Sequence, residues 1–459
     1  MAAKLLIRVY NVGLGDCILC RIPGVGSAGS DFNMLIDCGS WSGIDLLRAA
    51  LDDLATMLPD AGDGQKRLDL LVVTHEHKDH IAGCDPALFA RFRIGAIWMN
   101  AAMDPDHPQA AGTRKLTAIA VQAMRGVTAA GLPLSPALAD LAELLSIDNA
   151  GAMQALRIGL PAASSIVPYY VHAGQTNDEL GLPLLGATIR VLGPEADIDG
   201  FYLGRRGSTV GALTAAPDPS PVDAGPAPPD VVGVQPDNIG AGDFRQLRAR
   251  MLSNAFAFAA LSSKVTNNSS VVLLVEWQGR RLLFVGDAEW DAAYTDGKAN
   301  GSWNVMWSQR KEALSAPVDF LKIGHHGSEN ATPWNQTGTL SEPPAILDSI
   351  LPLPLPNGTP SAVAVVSTER SKYPTIPSGS LLLEIGRRIR NATDYAARFQ
   401  AAAHATGSLP GRWELEQKFL GGPQPQRTDF ECALTGAAFV DVELESASGF
   451  TSAAGLKSN

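Results

Sequence analysis

The chain has 459 residues, 46% of them hydrophobic, and a formal net charge of −11. That length holds one large domain with insertions or two domains, with apolar residues enough for a sizeable core. The acidic balance argues against a broad, non-specific grip on nucleic acid, which needs clustered Lys and Arg, while leaving room for a local basic groove or for phosphate neutralised by bound cations. No apolar run approaches the roughly 20 residues that span a bilayer, so no membrane association is expected. The start, Met1–Leu6, leads straight into a strand-like run without the features of a signal peptide, and a cytoplasmic protein is expected. Five cysteines form no framework spacing; buried, reduced thiols are expected, with Cys17 and Cys20 on opposite faces of a strand.

In chain order, residues 4–10, 17–22 and 33–37 read as strands joined by Gly-rich turns, and residues 44–57 carry a helical apolar period. Strands follow at 70–73 and 94–99. Residues 102–162 turn Ala/Leu-rich and read as a helical insertion over one edge of the sheet. Strands return at 166–172 and 187–193. Residues 204–242, rich in Pro, Ala and Gly, read as a mobile surface loop. A helix is expected at 243–262. A hairpin at 270–277 and 281–286 turns through Gln278-Gly279-Arg280, and a helix is expected over 288–297. Strands at 318–323 and 362–367 and a helix at 379–391 complete the pattern. A terminal extension, 401–459, holds one or two strands and a frayed end that begins at Ser446. The alternation, with hairpins in both halves, predicts a sandwich of two mixed sheets with helices outside, spanning residues 1–400.

The densest chemistry lies directly after the apolar run Leu70–Val73. In Thr74-His75-Glu76-His77-Lys78-Asp79-His80, three of the eight histidines and two carboxylates fall within the six positions His75–His80. Imidazole and carboxylate are ligands for zinc and similar cations. His75 and His77, two apart, can reach one ion; Asp79 and His80, beyond the turn, can face a second. Four further segments join apolar runs to polar residues and could converge on this loop: Leu35–Gly39, Val265–Ser270, Leu282–Glu289 and Leu321–Ser328.

The set HxHxDH, GDAE and GHHGS resembles the metallo-β-lactamase superfamily. Val9–Cys17, Leu35–Gly39 and Gly186–Pro194 are similar to the soluble domain of competence-type DNA-internalisation proteins and their free-standing relatives. The resemblance covers most of residues 4–390, apart from the insertion and the Pro-rich loop. It implies an αββα four-layer sandwich with a two-metal site at one edge of the β-layers, zinc being the first expectation and manganese the second. It implies that His75 and His77 bind the first ion, that Asp79 and His80 bind the second, and that Asp287 bridges both. One of His325 and His326 would complete the second site. Asp37 would order the loop from behind.

Alternatives stay open at several positions. Asp287 also suits a helix N-cap. Asn267, Asn268 or His172 is the candidate to complete the first site, where many superfamily members place a histidine; His107 reads as solvated. Asn268 serves equally as ligand, substrate contact or strand cap, and Ser328 as phosphate contact or turn residue. Trp290, Trp303 and Trp307 read as packing residues, and His404 as a surface residue. Ser371–Ser378 lacks the late histidine common in the resembled group, which counts against nuclease action and implies either a different substrate or a different phosphate contact, Lys372 or Tyr373.

The expected activity is metal-dependent hydrolysis, with Asp79 orienting the attacking water or taking its proton. A phosphodiester in a nucleic acid or nucleotide is the substrate implied. A small ester, lactone or amide is the second expectation, and a non-catalytic metal-binding sensor or scaffold the third.

Overall fold

A computed structural model describes residues 3–129, 149–204, 241–334, 339–369, 376–392 and 438–447. Two sheets face each other. The first runs β13–β1–β2–β3–β5–β6–β7, with β4 paired to β5. Its strands are β1 (Leu5–Tyr10), β2 (Cys17–Ile22), β3 (Phe32–Cys38), β4 (Asp60–Gly62), β5 (Gln65–Val73), β6 (Phe92–Asn100), β7 (Tyr169–Val171) and β13 (Phe439–Leu444). The second runs β12–β11–β10–β9–β8, built from β8 (Ala187–Gly193), β9 (Val272–Trp277), β10 (Arg280–Phe284), β11 (Phe320–Ile323) and β12 (Val363–Val366).

Three apolar clusters define the four layers. Alternate residues of both sheets, such as Ile7, Val9, Met34, Val72, Ile189, Leu273, Phe284 and Val365, meet between them. The opposite residues of the first sheet, Leu35, Leu71 and Val73, pack on Leu47, Leu51 and Leu54 of the helix Ile44–Met57. The opposite residues of the second, Leu274, Leu283 and Leu321, pack under the helices Ser302–Gln309, Glu342–Ile350 and Gly379–Gly386. Strands covered on both faces explain the near-continuous Leu/Val runs. Each fully buried Leu, Val or Ile contributes roughly 1.5–3 kcal/mol, so these three interfaces dominate stability. The result is the αββα sandwich expected from the sequence.

Strand direction places the site. β3, β5 and β6 are mutually parallel, as are β10, β11 and β12. Polar residues following parallel strands emerge at the strands' carboxyl ends, where open sheets bind ligands. The β9–β10 hairpin closes through Gln278 (φ 44°) and Gly279 (φ 78°), with Trp277 opposite Arg280. Two successive positive φ values are the geometry of a tight type I′ turn.

Several expectations are corrected. No helix occupies 288–297; that stretch is a series of turns, and the helix begins at Ser302. The carboxylate of Glu289 turns inward to accept from Asn267, and Asn300 ties the loop closed through Thr295 and Lys298. The helix expected at 243–262 runs Ala241–Asn268. Val265, read as an approach to a strand, packs instead with Leu116 and Leu203, which carries the helix on to the asparagines. The helix expected at 379–391 runs Gly379–Gly386.

The insertion is helical over Ala110–Ala129 and again from Ala150 to Ser164, through a π-helical turn at Ala155–Gly159. Its first helix packs on Ala241–Asn268, with Thr117 and Ser262 hydroxyls 3.0 Å apart. β13 lies antiparallel to β1 and closes the edge of the first sheet, and Arg8 joins Asp441 and Asp53 there at 2.7 Å. The expected boundary at 400/401, most of the Pro-rich loop, Lys372, Tyr373, His404 and the terminal end from 448 lie outside the described residues. Cys17 and Cys20 are buried in different clusters, on opposite faces of β2. Among the described residues, no helix is long and apolar enough to cross a membrane.

Candidate metal centre

The loop after β5 and the short helix Lys78–Ile81 carry His75, His77, Asp79 and His80 to the sheet edge. Asp287 arrives from the end of β10. Gly286, at φ +52°, turns the chain there; a Cβ on it would lie 2.9 Å from Ser270 Cβ and 3.0 Å from Thr74 Cβ. His326 arrives from the turn after β11. Gly324 lets that turn press against β10, since its Cβ would lie 2.3 Å from the Gly286 carbonyl oxygen. Asp37 (φ 56°), His325 (φ 42°) and His326 (φ 51°) all occupy the left-handed region. Three strained non-glycine residues at one edge mark a place where geometry is held by surrounding contacts.

Two donor groups that share Asp287 result. Asp79, His80, Asp287 and His326 offer ligand atoms that all lie within 4.8 Å of one another, and so do His75, His77 and Asp287. Asp287 belongs to both. Its Oδ2 is 3.6 Å from His75 Nε2 and its Oδ1 is 3.2 Å from His80 Nε2. His326 Nε2 is 2.8 Å from Asp79 Oδ2, and His75 Nε2 is 3.0 Å from His77 Nδ1.

Supporting contacts aim three of the rings. Nδ1 of His80 meets Asp37 Oδ2 at 2.8 Å. Nδ1 of His326 meets the Ser367 carbonyl at 2.9 Å. Nδ1 of His75 faces the hydroxyls of Thr74 and Ser270 at 3.1 and 3.2 Å. Each ring thereby turns Nε2 into the pocket, as expected of an oriented metal ligand. Asp37 also accepts the N–H and hydroxyl of Thr74 at 2.8 and 2.7 Å, which locks the loop.

The fit to cations can be tested on the pocket itself. His80 Nε2 and Asp79 Oδ1 are buried and have no hydrogen-bond partner. Unpaired buried polar atoms are uncommon in proteins, and two of them within one donor group suit a bound cation. The charges agree. Burial alone would raise the carboxyls of Asp287 and Asp79, yet neighbouring imidazoles outweigh it and hold both below the usual range. Burial would lower His80 and His326, but the carboxylates around them win and push both up. Burial dominates at His75, which moves well down, and at His77, lowered to about 4. The residues present fit divalent cations.

His325 stays out of both groups. Its N–H donates to Asp287 Oδ1 at 3.0 Å, while its ring faces Ser328 Oγ at 3.0 Å and Glu289 Oε1 at 3.4 Å. Ser328 Oγ is thereby occupied, donating in turn to Asn330 at 2.9 Å. Asn268 is committed elsewhere: its amide oxygen accepts the N–H groups of Glu289 and Ser302 at 3.2 and 2.6 Å. Asn267 donates to Glu289 at 2.8 Å, and its own oxygen is buried without a partner. His172 contacts the Ala173 carbonyl and His107 accepts from Gln109; neither joins a donor group among the described residues. Asp287 caps no helix, because none starts there.

Ser367, Ser270, Asp16 and Lys322 support the site from outside the predicted donor residues. Ser367 follows β12 and Asp16 follows Gly15, which is the same strand-end or glycine-turn signal used elsewhere.

Residues 15–111 match the family model of the metallo-beta-lactamase superfamily. The four-layer fold is consistent with that family. The matched stretch contains His75–His80 and Asp37; Asp287 and His326 lie beyond it, and the tertiary structure brings them in. No curated protein matches the chain at a significant level.

Proposed function

We propose that the protein is a hydrolase that works with two divalent cations and cleaves a phosphodiester in a nucleic acid or nucleotide. The observation that carries this reading is the sharing of Asp287 by two donor groups, one with His75 and His77, the other with Asp79, His80 and His326. Bound there, the cations would supply a nucleophilic water at neutral pH and draw charge from a phosphoryl or acyl oxygen.

The chain's own residues divide the remaining work. Asp79 has one oxygen against His326 and the other without a hydrogen-bond partner, so it can hold a cation and still orient water or accept its proton. Asp37, Ser367 and Thr74 keep the imidazoles in position. Nitrogen-rich donor sets favour zinc, with manganese the alternative where carboxylates weigh more. The phosphodiester choice rests on the likeness of Val9–Cys17, Leu35–Gly39 and Gly186–Pro194 to competence-type DNA-internalisation proteins, which is an analogy between folds.

The net charge of −11 favours a second substrate class, a small ester, lactone or amide, over a long polyanion. Metal-loaded protein tested on single- and double-stranded DNA, RNA, cyclic nucleotides, chromogenic phosphodiesters and chromogenic esters separates the two. Turnover of a phosphodiester that is lost in His77→Ala supports the proposal. Ester turnover alone supports the second class. Purified protein that takes up no metal would leave a non-catalytic scaffold.

A further inference from the structure

The loop before β2 and the strand that leads to the histidine pair meet at one buried contact. Lys322, on β11, is 1% exposed, and its Nζ lies 2.8 and 3.1 Å from the two carboxylate oxygens of Asp16, which is 2% exposed. The same ammonium donates to the carbonyl of Ile323 at 3.1 Å, directly before the Gly324–His325–His326 turn.

On the other side, Asp16 is stitched to the ligand loop through its backbone. Its N–H donates to the Asp79 carbonyl at 2.9 Å, and its carbonyl accepts from Gly39 N–H at 3.0 Å. These backbones approach closely because Gly15 and Gly39 lack side chains: a Cβ on Gly15 would lie 2.3 Å from the Gly39 carbonyl oxygen, and one on Gly39 2.2 Å from His80 N. Lys322 is therefore linked, through one intervening residue on each side, to both halves of the second donor group. Through Asp16 it holds the Asp79–His80 segment; through Ile323 it holds the His326 segment.

Phe320, two positions earlier on the same face of β11 and buried between the sheets, shows what simple packing uses there. Burying a lysine and an aspartate instead is costly, and a well-packed apolar pair often serves stability equally well. Asp16 also forms, with Asp37 and His80, a third donor group of the kind that holds a cation. The ammonium of Lys322 lies against it.

We propose that Asp16 and Lys322 are a positioning pair for the second cation site, a fixed internal ion pair that registers Asp79 and His80 against His326 and Asp287 without touching substrate. The inference rests on the two-cation reading above.

The test uses full-length protein stripped of metal and titrated with manganese chloride. A binding isotherm counts the ions, and electron paramagnetic resonance separates a coupled manganese pair from isolated ions. Asp16→Asn combined with Lys322→Met removes both charges together, so neither is left buried without its counter-charge. One ion should bind as in the wild type, the other at least tenfold more weakly, and the pair signal should vanish at stoichiometric metal. A purely structural role would lower the melting temperature without splitting the two affinities. A folded double variant with wild-type affinities and an intact pair signal overturns the proposal. Lys322→Arg, which keeps the charge, should retain more of the weaker affinity than Lys322→Met; equal loss overturns it independently of whether the double variant folds. Wild-type protein that takes up fewer than two ions defeats the two-cation reading itself, and the positioning role falls with it.

Discussion

Nε2 of His326 lies 2.8 Å from Oδ2 of Asp79, although 247 residues separate them along the chain. One belongs to the turn after β11 and the other to the helical turn after β5, so the two sheets meet at this pair. The contact exists because both sheets end their parallel strands at the same edge.

The sharing of Asp287 predicts an asymmetry between ligand substitutions. Asp287→Ala should remove or weaken both ions, whereas His77→Ala should cost one and leave the Asp79–His80–His326 group able to hold the other. Metal content per chain after dialysis, read by plasma mass spectrometry, checks this. Equal loss from both variants would contradict two separable sites.

Metal uptake should depend on pH in a direction set by the raised histidines. His80 and His326 are pushed above their ordinary range, burial opposing and the carboxylates prevailing, so the metal-free protein holds protons there to higher pH than ordinary histidines do. A cation must displace them, and affinity therefore rises with pH until the pH passes those raised values. His77, lowered to about 4 chiefly by burial, is already deprotonated at neutral pH and releases nothing. Titration calorimetry in buffers of different ionisation enthalpy should detect about one or two protons released per fully loaded chain. No release would show that the pocket is neutralised in another way.

Asp37→Asn keeps the side chain's size and tolerates the left-handed backbone at φ 56°. It removes the charge that faces His80 Nδ1 at 2.8 Å. Loss of such a supporting partner typically costs 10–100-fold in metal affinity, and that is the expected effect here, with the fold retained by circular dichroism. Unchanged affinity would assign Asp37 to loop stability alone.

Two glycine substitutions should have opposite signs. In Gly39→Ala the new methyl would sit 2.2 Å from the backbone of Asp79 and His80, so the ligand loop must move. Overpacking of this kind costs about 1–3 kcal/mol, and metal binding should weaken with it. Gly126, inside the helix Ala110–Ala129, has open space at the same position. Gly126→Ala should stabilise by about 0.5–1 kcal/mol and leave metal binding alone. Urea denaturation of both variants provides the comparison.

Much of this was legible along the chain. Apolar runs gave the strands because residues buried on both faces have no reason to alternate, and the histidine-rich loop stood out because few turns concentrate so many metal-binding atoms. Local signals failed where long-range contacts competed with them. Asp287-Ala288-Glu289-Trp290 looks like a helix start, but Glu289 is drawn inward by Asn267 and no helix forms. Asn267 and Asn268 read as the entrance to a strand, but they end a helix that packs on Leu116 and Leu203.

The sequence by itself determined the donor chemistry, the layer order and the strand ends that could meet, since these depend on residue type and local period. Only the tertiary structure decided that His326 rather than His325 joins Asp79, and that Ser328 is spent on a ring nitrogen. It alone decided that Lys322 reaches Asp16 across 306 positions. Adjacent histidines have the same chemistry and nearly the same place in the chain. What separates them is the direction each ring takes from a turn, and that direction is fixed by partners such as Ser367 and Glu289, which lie far away in sequence.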